Sequence, residues 1–114
     1  MIVRIYTGED GQSHFEDIEG PWVEDDLGRE QTPWQDVMQL RFSRYPAGYF
    51  RDWHVGPRRL YAIILSGQVE CAIGDGTIRR WGAGDVMLEE DLTGQGHTTR
   101  VVGDQPSLVA FVHI

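Results

Sequence analysis

Residues 65–76, "LSGQVECAIGDG", followed two residues later by "RRWGAGDV" at 79–86, carry the reading that decides the fold. Residues 68–73 alternate, with Val69, Cys71 and Ile73 on one face, as a half-buried strand requires. Asp75-Gly76 is a strong hairpin signal, expected to form a type I′ turn because both central residues of that turn need positive φ. The glycines of "GAGDV" at 82–86 then turn the chain tightly into the next strand. Two short strands joined by a tight turn and bracketed by glycine make an antiparallel unit.

The same texture extends outward on both sides. Residues 60–65, "LYAIIL", form a nearly continuous apolar run closed by Ser66-Gly67, and 37–44 alternate, with Met38, Leu40 and Phe42 opposite Gln39, Arg41 and Ser43. That second pattern is the one expected of a half-buried strand. Further strands are predicted at 77–81, 85–91, 97–102 and 107–113, and residues 1–8 read as a strand whose Ile2, Ile5 and Tyr6 pair at a sheet edge. The polar segment 23–36, with Gly28 and Pro33, reads as a surface loop with room for one helical turn. Short strands at this spacing predict an all-β antiparallel sandwich or barrel.

At 114 residues the chain suffices for one domain with a real core and is too short for two. Within it, 1–36 form an N-terminal strand and acidic loop segment, and 37–114 form the barrel. The net charge of -8 is unevenly spread, because residues 1–36 hold ten Asp/Glu against Arg4 and Arg29, while the remainder is balanced. Without a basic stripe, nucleic acid and anionic membrane are poor partners. All ten basic residues are Arg, which removes Schiff-base chemistry. The single Cys71 reads as a buried core residue, no apolar run is long enough to span a bilayer, and the N-terminus lacks signal-peptide features. The expected location is cytoplasmic. The sheet edge assigned to residues 1–8 invites a second subunit, so a homodimer is expected.

Two stretches resemble the signatures of the cupins. The first, G-x5-H-x-H-x3,4-E-x6-G, aligns on Gly48, His54, Gly56, Leu60 and Gly67. The second, G-x5-P-x-G-x2-H-x3-N, aligns on Gly76, Gly82, Gly84, Met87 and Asp91. With only hairpin strands between them, the chain resembles the smallest bacterial, conserved-barrel cupins. The resemblance implies a double-stranded β-helix, the jelly-roll barrel. In that family two His, a Glu and a third His hold iron, manganese, nickel or zinc; here Gly56, Leu60 and Met87 stand at three of those four places. Gly and Leu offer no lone pair and a thioether suits soft copper, so the usual metal is not expected. The resemblance is to the metal-free branch, which includes epimerases, dehydratases and cyclases.

Strand parity then names the groups that share the cavity. His54 faces inward in the family pattern, bringing Asp52 and Arg58 with it, and Met87 brings Glu89 and Asp91. A hairpin through "EEDLTGQGH" would carry His97 to Glu89 or Asp91. The catalytic candidates are therefore His54 as leading acid/base, His97 as its partner, and Glu89 or Asp91 to orient them. Arg58 or Arg100 would stand near the mouth, and Leu60, Ala62, Ile64 and Met87 would line a dry wall against a small polar or carbonyl-containing metabolite. His14 and His113 read as structural, and the four Trp as core and lid packing. Two other readings stay open: a small-ligand binding or sensing module, and a metal-dependent oxygenase whose site is rebuilt from His54, His97 and one carboxylate.

Overall fold

The structure, a computed structural model, describes all 114 residues and contains twelve strands and no helix. In chain order they are β1 (Ile2–Thr7), β2 (Ser13–Asp17), β3 (Val23–Glu24), β4 (Glu30–Gln31), β5 (Gln39–Tyr45), β6 (Phe50–His54), β7 (Leu60–Ser66), β8 (Val69–Ala72), β9 (Ile78–Trp81), β10 (Val86–Glu90), β11 (His97–Val101) and β12 (Ser107–His113). One sheet runs β2-β1-β10-β7-β12-β5, the facing sheet runs β6-β11-β8-β9, and β3-β4 form a separate exposed hairpin. From β5 onward the chain passes back and forth between the two large sheets, and every pairing among β5–β12 is antiparallel. This is the expected all-β jelly roll, closed by winding.

Alternation builds the core. Leu60, Ala62 and Ile64 of β7 face Val69, Cys71 and Ile73 from the β8 side, with Trp81, Met87 and Val109 filling between. Each such side chain removed from water contributes roughly 1.5–3 kcal/mol. Cys71 is fully buried in this cluster, and burial pushes its thiol up to about 12, so it serves as packing and not as a nucleophile.

Several expectations need correcting. Asp75 does not take positive φ: the Ile73–Gly76 turn is closed by Gly76 N–H to Ile73 C=O, and only Gly76 (φ 88°) is left-handed, giving a three-residue loop ended by a glycine bulge. The strand at 1–8 is not an edge, because β2 folds back on it and β10 pairs with its other side in parallel. Its buried positions are Val3 and Ile5. The segment 23–36 contains the β3-β4 hairpin, turned where Asp25 accepts from the backbone of Leu27 and Arg29. Of the four Trp, only Trp81 lies in the core; Trp22, Trp34 and Trp53 are exposed. Finally, β5 shows its apolar side to solvent, with Leu40 59% and Phe42 64% exposed, while Gln39, Arg41, Ser43 and Tyr45 line the cavity, whose rim Leu40 also touches.

Candidate functional site

Between the two sheets lies a cavity of about 540 Å³, within the range of small-molecule sites. Leu60, Ala62 and Met87 form its apolar wall as expected from parity, and His54, Arg58 and Glu89 also line it. His97 and Asp91 do not reach it; both are almost completely buried behind the wall. Asp91 Oδ2 accepts from Ser13 Oγ–H at 2.7 Å and from His97 Nδ1–H at 2.6 Å, so β2 anchors the pair. The expected β10–β11 hairpin does not exist, because these strands belong to opposite sheets. The loop between them crosses from one sheet to the other, which carries the His97 side chain back to Asp91. Gly96 permits the crossing: it is left-handed (φ 75°), and a Cβ there would run into the His54 carbonyl.

His54 pairs in register with His97, and their rings lie 4.5 Å apart. Its Nδ1–H donates to the Asp52 carbonyl at 2.8 Å, which leaves Nε2 with a free lone pair. Burial lowers the His54 pKa, partly offset by that hydrogen bond, so the ring is neutral at neutral pH.

Glu89 is the most perturbed acid. The residue is 5% exposed and forms no ion pair, and burial raises its pKa to about 7, with His97 pulling the other way. Its side chain fills the space beside Gly56: a Cβ at 56 would come within 2.8 Å of Glu89 Oε1 and 3.0 Å of Cγ. The glycine that breaks the first signature is therefore the residue that makes room for this acid.

Strand parity does not find Arg51, Arg41, Tyr45 or His113 on the cavity wall. It placed Asp52 inside, yet Asp52 lies outside and Arg51 lines the cavity. The cause is a bulge: His97 pairs with His54 but Thr99 with Arg51, so two steps on β11 match three on β6. Arg41 and Tyr45 come from the inverted face of β5, and His113, read as structural, lies on the wall 3.5 Å from an Arg58 nitrogen. Arg100 is not at the mouth; it stacks over Phe50 instead. Burial pushes the Tyr45 phenol up to about 12, keeping it a donor.

A crystal structure of an uncharacterised Klebsiella pneumoniae protein with a double-stranded β-helix domain superimposes with a TM-score of 0.52 at 22% identity. That match covers 64% of this chain and 63% of the other, less than two thirds of its length. The cupin domain of Drosophila melanogaster CENP-C matches with a TM-score of 0.52 at 14% identity over 82% of this chain and 69% of its own. The cupin domain of Schizosaccharomyces pombe Cnp3 gives 0.51 at 15% over 89% and 71%. The chain has the cupin fold. No family model matches the chain, and no curated protein matches it in sequence.

Proteins of the cupin fold often hold a metal, and the residues at those positions here bear on that role. Leu60 and Met87 lie in the apolar wall, and the place beside Gly56 is taken by Glu89, so the usual four-ligand set does not fit. The one group of three donors within 4.8 Å is Glu89, Asp91 and His97, and His54 does not join it. Within that group Asp91 Oδ2 and His97 Nδ1 are already bonded to each other.

Proposed function

We propose that this cupin transfers protons on a small polar, carbonyl-containing metabolite, as an isomerase, dehydratase or cyclase, without using the family's metal. The observation that carries the reading is Glu89: a buried carboxyl on the cavity wall whose pKa burial raises to about 7, in a cavity that His54, with its Nε2 free, also lines. A base poised near the working pH is the most effective for this step. In the ionised form Glu89 takes a proton from the carbon next to a carbonyl, and the C–H electron pair passes to the carbonyl oxygen. Tyr45 or Arg51 donates to that oxygen, and Glu89 or His54 manages return of the proton to the neighbouring carbon. His97, held by Asp91 and Ser13, acts as a positioning residue under His54.

The reading is tested by following solvent deuterium into a panel of small ketones and aldehydes by NMR. Exchange is expected with the wild type and should fall at least about a hundredfold in Glu89→Gln. Exchange retained in Glu89→Gln would remove that residue from the mechanism, and no exchange on any compound would favour a second reading. That second reading is a binding or sensing module, supported by the roomy cavity and the apolar wall of Leu60 and Met87.

We also infer a homodimer, now through β5. It is an edge strand bonded only to β12, and Leu40 and Phe42 lie exposed along it.

A further inference from the structure

The charge on the cavity walls runs against the charge of the chain. The protein carries -8, yet the only acid lining the cavity is Glu89, whose proton is held to about pH 7, whereas Arg41, Arg51 and Arg58 all line it. Five of the other arginines are neutralised by acids away from the cavity. Arg4, Arg29, Arg59, Arg79 and Arg80 each form an ion pair with Asp or Glu. Arg58 meets no acid, only Gln39 Oε1 and His113 Nδ1, and Arg41 and Arg51 have neither an ion-pair nor a side-chain hydrogen-bond partner.

Their placement is not that of scattered surface charge. Arg41 lies on β5 and Arg51 on β6, the outermost strands of the two facing sheets, joined by the short turn at 46–49. Each is solvent-exposed while lining the same cavity, so the two guanidiniums flank its mouth from opposite walls. The charge of Arg51 is also felt inside, where it lowers the pKa values of Tyr45, His54 and Glu89. The β6 bulge is what puts Arg51 there, in place of an acid: without the extra residue, Asp52 would face inward with His54.

We propose that the cavity takes a small organic dicarboxylate, with Arg41 and Arg51 gripping its carboxylates at the mouth and the carbon skeleton reaching toward Glu89 and His54. A guanidinium presents a planar fork that matches a carboxylate, and two forks on opposite walls favour two carboxylates over one. The cavity volume of about 540 Å³ accommodates a skeleton of a few carbons with space to spare. This inference rests on the proton-transfer reading only for the inner end of the ligand.

The test is isothermal titration with succinate and glutarate, their dimethyl esters, and inorganic phosphate, on wild type, Arg41→Gln, Arg51→Gln and the double variant. Dicarboxylates should bind and the esters bind at least about tenfold more weakly; each single variant should lose about tenfold and the double variant more. Circular dichroism keeps misfolded variants out of the comparison. Esters binding as well as the diacids, variants binding like wild type, phosphate preferred over both diacids, or no heat from any diacid up to about 10 mM would each overturn the proposal. Deuterium exchange separates the two readings. A dicarboxylate that carries a ketone and binds without exchanging sinks proton transfer alone; exchange on neutral ketones with no preference for dianions sinks the dicarboxylate alone.

Discussion

Glu89 and Gly56 have to be understood together. A buried carboxyl with no ionic partner costs stability once ionised, and the sign follows from the proton count. The folded chain keeps the Glu89 proton up to about pH 7, whereas the unfolded chain releases it near the ordinary 4.5. Stability from this group is therefore complete below 4.5 and is lost as pH rises to about 7. The loss is roughly 3 kcal/mol. His54, whose pKa is depressed, works in the opposite sense, losing stability as pH falls below 6.5. Subtracting the urea-melt stability of Glu89→Gln from that of wild type cancels the His54 effect. The difference should change by roughly 3 kcal/mol across the window, and a flat difference would show that Glu89 titrates like an exposed acid. Gly56→Ala probes the same group by geometry. Its Cβ would crowd the Glu89 side chain from Cγ to Oε1, with no backbone atom among its three nearest neighbours, so the fold should survive while the Glu89 carboxyl is displaced; deuterium exchange should drop about tenfold or more with the melting temperature nearly kept. Full exchange in Gly56→Ala would mean that the acid is not positioned by this contact.

At the level of elements, alternation made most of the barrel legible, and it failed where its assumptions failed. It located β7, β8, β9, β10 and β12 to within a residue or two, together with the apolar wall and the inward place of Glu89. It misplaced Asp52 and Arg51 because a bulge resets the period within β6, and nothing in "FRDWH" marks the extra residue. It inverted β5 because the rule sends apolar side chains inward, whereas here the interior at that strand is a polar cavity mouth. Ser13 was invisible for another reason: its role is set by β2 folding over β1, a contact 78 residues from Asp91 in sequence. The β10–β11 crossing offers a paired test. Gly103 and Gly96 both have positive φ, so alanine should cost each about 1 kcal/mol from the backbone. Gly103 opens on empty space, whereas a Cβ at Gly96 would strike the His54 backbone. Gly96→Ala should therefore lose at least about 2 kcal/mol in chemical denaturation and Gly103→Ala about half of that; equal losses would mean that the crossing is not tightly packed.

For the molecule as a whole, the inverted β5 has a second consequence. Turning Gln39, Arg41 and Ser43 toward the cavity leaves Phe42 facing water and Leu40 largely exposed at the cavity rim, and Val37, Met38 and Trp34 just before them are exposed as well. A run of large apolar side chains along an open edge is a standing invitation to association. A two-fold axis beside β5 would cover that run with its own copy and complete the edge with antiparallel hydrogen bonds, which is the self-complementary arrangement a closed dimer needs. Sedimentation at micromolar concentration should then give twice the 13.0 kDa chain mass. Phe42→Glu places a charge in the middle of that run without touching the inner face, so it should sediment as a monomer while keeping any ligand binding at Arg41 and Arg51. A wild type that sediments at 13.0 kDa would leave β5 as a solvated edge, and a dimer insensitive to Phe42→Glu would move the interface to another face.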